Sequence, residues 1–227
     1  MNRQLLILRP QPGNDATARA ARGLGLEVVQ LPLFEIVPIE AGAPPPGPFD
    51  ALLVTSANGA RHGKDVLALF AELPVYTVGE ATAQAICEHG ERIVHIGGGD
   101  AASTLPIIAA AGHKRLLHLC GEEVRDFDPL GLIVTQHVVY RSEARDMRPF
   151  TKMLATLPPL VIAVHSPAAG RRLNALMPPS CRNHLVVAIS DAAGKAAGTG
   201  WRRVHVADAP DDSALLRLAT SLCIGAS

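Results

Sequence analysis

The chain has 227 residues with 21 basic and 21 acidic side chains, so its formal net charge is zero. This balance argues against a nonspecific nucleic-acid binder, which would be strongly basic. Hydrophobic residues make up 48% of the chain and aromatic residues only 4%, which predicts a well-buried core of aliphatic side chains. No apolar stretch approaches the ~18 residues of a membrane span, and no signal peptide is recognisable, so we expect a cytoplasmic location.

Strand-length runs of Val, Ile and Leu alternate with Ala-rich segments of helical length. In chain order, the sequence predicts strands at Leu5–Leu8, Glu27–Leu31, Ala51–Val54, Val75–Val78, Ile93–Ile96, Leu116–Leu119, Ile133–Tyr140, Leu160–Val164, Val186–Ile189 and Val204–Val206. It predicts helices at Asn14–Leu24, Asn58–Phe70, Ala81–His89, Ala101–Ala111 and Ala168–Leu176. Continuous apolar strands followed by helices are typical of parallel sheets covered on both faces, the doubly wound α/β class.

The second half of the chain repeats the pattern of the first half, shifted by about half the chain length. Val54-Thr55-Ser56-Ala57 matches Val164-His165-Ser166-Pro167, and Val78-Gly79-Glu80-Ala81 matches Ile189-Ser190-Asp191-Ala192. Two more strand segments match in the same order. The repeat predicts two similar α/β domains.

Two extended segments, 31–39 and 138–144, have similar patterns and are predicted to carry the chain between these domains. A proline cluster after the first segment is incompatible with a helix or a central strand. We therefore expect a contiguous domain over 39–141 and a discontinuous domain over 1–38 and 142–227. Two connecting strands would act as a hinge, with a ligand cleft between the domains.

Small polar residues follow several predicted strands, where main-chain N–H groups and hydroxyls suit an anion. One such turn alone is more simply interpreted as a helix cap, but the repetition along one sheet edge favours a binding role. The turns contain Thr55, Ser56, Asn58, Gly79, Thr82, Gly121, Ser166 and Ser190.

Three further residues have open roles. Arg9 and Arg125 each follow a predicted strand or turn, and each could pair with a carboxylate or have only a local role. Tyr140 lies at a crossing segment, where its hydroxyl could reach a ligand or its ring could only pack. The loop Gly97-Gly98-Gly99 lacks a nucleotide-binding fingerprint and is interpreted as flexible.

The cysteines and histidines show no metal-ligand spacing. The four cysteines, Cys87, Cys120, Cys181 and Cys223, are expected to be reduced core residues. Histidines in or beside strands, such as His118, His165 and His205, are expected to have structural roles. We predict no metal site.

The order of several blocks resembles the uroporphyrinogen-III synthase family over nearly the whole chain. The blocks are Leu8-Arg9-Pro10, Leu31-Pro32-Leu33-Phe34-Glu35-Ile36, 49–58, 78–83, Leu119-Cys120-Gly121 with Arg125, Val139-Tyr140-Arg141, Ser166-Pro167, Ile189-Ser190, Val206-Ala207-Asp208 and Ala214-Leu215-Leu216. The resemblance implies a cofactor-independent lyase that removes water from hydroxymethylbilane, a linear tetrapyrrole. The chain would then close with its last pyrrole ring inverted.

The resemblance also implies roles for individual residues. Tyr140 matches a tyrosine proposed to assist departure of the hydroxyl, and Thr82 matches a threonine of the binding cleft. The substrate-binding positions carried over are Arg9, Thr55, Ser56, Asn58, Gly79, Thr82, Gly121, Arg125, Ser166 and Ser190. At Ala192-Ala193 the chain departs from relatives that have a threonine.

The competing interpretation is a non-catalytic, hinged binding module for a carboxylated metabolite. For either function we expect a monomer that binds a small molecule, without nucleic acid or membrane partners. A synthase would also make transient contact with the preceding pathway enzyme.

Overall fold

The structure is a computed structural model that describes residues 2–88, 94–97, 100–124, 126–147, 154, 157–177 and 183–225. These residues form two compact units, Met1–Glu35 with Glu143–Ser227 (unit 1) and Ile36–Ser142 (unit 2). Outside the described residues lie Arg125, Cys181, Gly98 and Gly99, and the predicted element ends at His89 and Ile93.

Unit 1 contains a five-stranded parallel sheet in the order β2-β1-β9-β10-β11. Its strands are β1 (Leu5–Ile7), β2 (Val28–Gln30), β9 (Val161–Val164), β10 (Leu185–Ala188) and β11 (Arg203–Val206). Its described helices are α1 (Gly13–Gly23), α6 (Pro167–Leu176), α7 (Asp191–Ala196) and α8 (Asp212–Ile224).

Unit 2 contains the sheet order β8-β7-β4-β5-β6, with β3 added beside β8. Its strands are β3 (Phe34–Pro38), β4 (Ala51–Val54), β5 (Val75–Thr77), β6 (Val94–Ile96), β7 (Arg115–Gly121) and β8 (Ile133–Ala144). Its described helices are α2 (Ala57–His62), α3 (Lys64–Leu69), α4 (Glu80–Cys87) and α5 (Ala101–Ala110).

Each sheet is buried on both faces because alternate residues of its central strands enter different hydrophobic clusters. In β1, Leu6 packs with α6 and α7, whereas Leu5 and Ile7 pack with α1 and α8. In β4, Leu52 and Leu53 divide in the same way between the two faces of the unit 2 sheet. The predicted doubly wound α/β class is therefore confirmed.

The matching blocks of sequence occupy equivalent strands in the two units. The central strands β1 and β9 of unit 1 correspond to β7 and β4 of unit 2, and in each unit these two strands lie side by side. In each sheet the strand order reverses between these two central strands, because successive strands are added first on one side of the pair and then on the other. Doubly wound folds bind ligands at the carboxyl ends of such strands.

The segments β3 and β8, predicted to be extended crossings, are neighbouring strands at a sheet edge. Main-chain hydrogen bonds join Ile39 to Val139 and Arg145 to Leu33, so these strands run in opposite directions. Both strands carry the chain from one unit to the other. The domain limits and the hinge motion inferred from these crossings stay predictions.

Two local predictions were wrong. The single helix predicted over 58–70 is two helices, because the chain turns at Gly63, where a Cβ would lie 2.7 Å from the Gly59 oxygen and 2.9 Å from Leu119 Cδ1. Cys87 is exposed at the end of α4, whereas Cys120 and Cys223 are buried as expected.

Candidate active site

The three predicted binding serines follow β4, β9 and β10. Ser56, Ser166 and Ser190 are the N-cap residues of α2, α6 and α7. Each Oγ accepts a hydrogen bond from the main-chain N–H three residues later, at 3.0, 3.1 and 3.3 Å. The capping role considered from the sequence is therefore real, and each hydroxyl still has its own hydrogen to donate.

Three other predicted residues begin helices of unit 2. Gly79 is the N-cap residue of α4, with no atom within 4 Å of the position a Cβ would take. Asn58 is half-buried in the first turn of α2. Thr82, in the first turn of α4, is only 5% exposed. Gly79 and Asn58 are thus partly open to a ligand, whereas Thr82 is enclosed.

The half-buried Tyr140 ring lies at the carboxyl end of the unit 2 sheet. Its hydroxyl is 2.9 Å from Ser56 Oγ. A Cβ on Gly121 would lie 2.6 Å from Tyr140 Cζ, so only glycine at this position leaves room for the phenol. The His62 ring is 5.9 Å away, centroid to centroid. The structure therefore brings together the predicted residues Tyr140, Ser56 and Gly121.

The position of Tyr140 depends on a bulge in the β7–β8 pairing. Cys120 pairs with Val138, but the next residue, Gly121, pairs with Tyr140. As a result, the consecutive residues Val139 and Tyr140 both pack against the same hydrophobic cluster. In a regular strand they would point to opposite faces.

Burial raises the pKa of the Tyr140 hydroxyl, although the Ser56 hydrogen bond acts in the opposite direction. The phenol is therefore protonated at neutral pH. Burial lowers the pKa of His62, with a smaller contribution from Arg61. The phenol can donate a proton, and the serine hydroxyl can donate a hydrogen bond to the phenolate that remains.

The Thr55 side chain is hydrogen-bonded to a buried histidine, His118. Its Oγ1 lies 2.8 Å from His118 Nε2. His118 is fully buried, and burial lowers its pKa to about 4. The histidine is therefore neutral near pH 7 and has a structural role, as predicted from the sequence, in orienting Thr55.

Arg9 lies at the corresponding edge of unit 1. Its Nη1 donates to Asp212 Oδ1 and to Thr17 Oγ1, each at 3.1 Å. The Thr17 hydroxyl donates to Asp212 Oδ2, and His165 Nε2 lies 2.9 Å from Asp212 Oδ1. The pairing with a carboxylate considered for Arg9 is thus made within the protein.

The charges in this cluster follow from burial and pairing. Burial, with a smaller contribution from Arg9, lowers the His165 pKa although Asp212 acts in the opposite direction, so the imidazole is neutral near pH 7. Burial alone would raise the Asp212 pKa, but His165, Thr17 and Arg9 together lower it. The cluster therefore contains one carboxylate, one guanidinium and a neutral histidine.

Sequence reasoning did not select Thr17, Asp212 or His62 as site residues. Asp212 is separated from Arg9 by 203 residues, and no spacing rule connects them. One sequence feature could have pointed to this cluster. The internal repeat aligns His165 with Thr55, so unit 1 has a titratable side chain where unit 2 has a hydroxyl.

Within the described ranges, no three His, Cys, Asp or Glu residues are grouped so that they could hold a metal ion. In the same part of the chain, no helix combines the length and apolar character needed to cross a bilayer.

These features place the chain in the class of two-unit, doubly wound α/β proteins. A family model described as uroporphyrinogen-III synthase HemD matches residues 15–217, and the chain belongs to this family. The predicted family is confirmed, and the match supports a synthase rather than the non-catalytic binding module.

Two solved structures have the same fold. The uroporphyrinogen-III synthetase from Helicobacter pylori 26695 aligns with a TM-score of 0.65 and 18% identity, covering 97% of this chain and 99% of that chain. A mutant uroporphyrinogen III synthase from the extreme thermophile Thermus thermophilus aligns with a TM-score of 0.52 and 16% identity, covering 96% and 98%. A comparison with curated proteins gives no significant match.

Proposed function

We propose that this chain converts hydroxymethylbilane into uroporphyrinogen III, as a hydro-lyase that needs no cofactor. The observation that carries the proposal is the match to the synthase family across most of the chain, which includes Tyr140. The position of the Tyr140 phenol beside Ser56 supports Tyr140 as the proton donor of the first step.

In that step the bond between the terminal carbon and its hydroxyl oxygen breaks. The electron pair leaves with oxygen, which takes the Tyr140 proton and departs as water. The adjacent pyrrole is left as an electrophilic azafulvene cation. A carbon of the last pyrrole ring attacks this cation as the nucleophile, and inversion and closure follow. A pyrrole carbon finally loses one proton. This release balances the proton that Tyr140 gave in the first step, so there is no net consumption of protons.

Ser56 favours this transfer because its hydroxyl can donate to the phenolate that forms on Tyr140. Burial works against ionisation of the phenol, and the Ser56 hydrogen bond partly offsets that effect. The serine is itself fixed by the Gly59 N–H, so it does not need to reorganise when the charge develops.

The substrate carries eight carboxylates, which explains a binding surface of N–H and hydroxyl donors on a protein with no net charge. We assign binding to nine of the residues predicted from the sequence, Arg9, Thr55, Ser56, Asn58, Gly79, Gly121, Ser166, Ser190 and Arg125, of which Arg125 lies outside the described residues. Thr82, which was also predicted to bind, is enclosed and is not assigned a direct contact. Holding both ends of a flexible substrate together would provide most of the acceleration through proximity.

Several further properties belong to this proposal. The protein would act in the cytoplasm as a monomer and would receive its unstable substrate through transient contact with the preceding enzyme. The two crossing strands, β3 and β8, would allow closure of the predicted domains on the substrate. Small-angle scattering with and without product tests closure, and identical curves would contradict it.

The test of function is conversion of freshly generated hydroxymethylbilane, followed by oxidation and separation of the porphyrin isomers. A synthase gives the type III isomer, whereas spontaneous closure gives type I. A protein that binds the substrate but leaves only type I would instead be the non-catalytic binding module.

A further inference from the structure

The Arg9 cluster at the carboxyl end of the unit 1 sheet joins four side chains, Arg9, Thr17, Asp212 and His165, rather than a single ion pair. We propose that Asp212 is a positioning residue that holds the Arg9 guanidinium ready to bind one substrate carboxylate through its Nε and Nη2 groups. This inference rests on the proposed function and assigns a substrate group to one part of the site.

The first support is the way the guanidinium is fixed. Nη1 donates to both Asp212 and Thr17, while Asp212 Oδ1 also contacts His165. A Cβ on Gly13 would lie 2.6 to 2.8 Å from Arg9 Nε, Cζ and Nη2. Gly13 therefore leaves space for the guanidinium to lie against the start of α1.

The second support is the free edge of the same group. Nε and Nη2 make no hydrogen bond to any residue that the structure describes, and the Arg9 side chain is 33% exposed. These two N–H groups form the planar fork that binds a carboxylate through two parallel hydrogen bonds. One edge is used inside the protein and the other is available to a ligand.

The third support is location. Arg9 follows β1, and His165 follows β9, which is the neighbouring strand. This is the switch point of a doubly wound sheet, where ligands of such folds bind. A salt bridge that is one-third exposed contributes little to stability, so preorganisation of Arg9 accounts better for a network of four side chains.

Gly13→Ala is the sharpest test because it displaces the guanidinium without removing any charged group. Fixing an arginine before binding saves side-chain entropy worth about tenfold in affinity. We expect KM for hydroxymethylbilane to rise about tenfold in Gly13→Ala, with kcat changed by less than about twofold. Gly23→Ala, in the same helix with no atom within 4 Å of its added Cβ, is the matched control and should leave both constants unchanged.

Two more variants keep the test decisive if Gly13→Ala does not fold. Arg9→Lys keeps the positive charge but loses the fork, and Asp212→Asn removes the charged partner of the guanidinium. Both should raise KM more than they lower kcat. Nitrogen–proton correlation spectra should show a sharp Arg9 Nε–H signal in the wild type and a broadened one in Asp212→Asn. An unchanged KM in Arg9→Lys, or an unchanged Nε–H signal in Asp212→Asn, would overturn the proposal.

The failure of the proposed function would look different. In that case the wild-type protein itself would give no type III product. The positioning claim would still be tested by titrating uroporphyrin, an octacarboxylate, into the wild type and following the Arg9 Nε–H signal. A saturable shift that Gly13→Ala weakens about tenfold supports the claim, and no shift in the wild type contradicts it.

Discussion

Tyr140 and Ser56 lie 84 residues apart in the chain, yet their hydroxyl oxygens are 2.9 Å apart at one edge of the unit 2 sheet. Each comes from a different element, β8 and the start of α2. Ser56 is held by a main-chain N–H and Tyr140 by the bulge opposite Gly121. The fold therefore holds in place both the proposed proton donor and the proposed partner for the charge that donation would leave.

Replacing Tyr140 by phenylalanine keeps the ring and removes the proposed proton donor. We expect kcat for type III formation to fall about a hundredfold, at the lower end of the effect of general acids, because the electron-rich pyrrole assists departure of the hydroxyl. Initial rates measure this, with thermal unfolding to show that the fold is kept. Full activity in Tyr140→Phe would reject the role.

Replacing Ser56 by glycine removes the hydroxyl partner at a cost of only a few tenths of a kcal/mol in helix capping. The pKa of Tyr140 should rise, because burial is then less opposed, and kcat should fall roughly tenfold. Absorbance of tyrosinate against pH measures the pKa in a Tyr76→Phe background, since the chain has two tyrosines. A Tyr140 pKa that stays the same or falls would contradict the role of Ser56.

Replacing Gly121 by alanine introduces a Cβ 2.6 Å from Tyr140 Cζ and should displace the phenol. We expect a loss of kcat similar to that of Tyr140→Phe and a decrease of about 1 to 3 kcal/mol in the free energy of unfolding. Gly47→Ala is the control, because its Cβ would have an ordinary contact at 3.5 Å. If Gly121→Ala is as active as Gly47→Ala, the phenol does not need its observed position.

His118 should make the protein less stable in mild acid. Its folded-state pKa of about 4 is below the ordinary value of 6.5, so the unfolded chain binds the proton more readily. The stabilisation is fully present above about pH 6.5 and is lost as pH falls towards about 4. From about pH 7 to about pH 5 the loss due to His118 is about 2 kcal/mol.

Urea unfolding of the wild type and of His118→Gln across this pH range measures that loss. Glutamine can still hydrogen-bond to Thr55 but does not titrate. Other buried histidines contribute equally to both proteins, so the difference between the two pH slopes isolates His118. Identical slopes would show that His118 is not the source.

The sheets could be predicted from the sequence because buried parallel strands are continuous apolar runs, and because the repeat aligns strand with strand. The carboxyl ends of those strands fix where Ser56, Ser166 and Ser190 lie, so their common edge could also be predicted. The break at Gly63 could not, since it depends on how closely Leu119 approaches from another strand.

The side-chain contacts of Tyr140 and Arg9 could not be predicted from the sequence. A single extra residue in β8 turns Tyr140 to the same face as Val139, and local sequence does not specify such a bulge. The two partners of Arg9 come from α1 and α8, and Asp212 is also contacted by His165 after β9. Only the folded unit brings these residues together.

The most direct measurement of the central claim, that the Tyr140 proton goes to the leaving hydroxyl, replaces this tyrosine by fluorotyrosine in a Tyr76→Phe background. Fluorine lowers the phenol pKa while the ring and its contact with Ser56 are kept. We predict that single-turnover loss of the hydroxymethylbilane hydroxyl becomes faster as more fluorine is added and the phenol becomes a stronger acid. A rate that is independent of phenol acidity would contradict the claim.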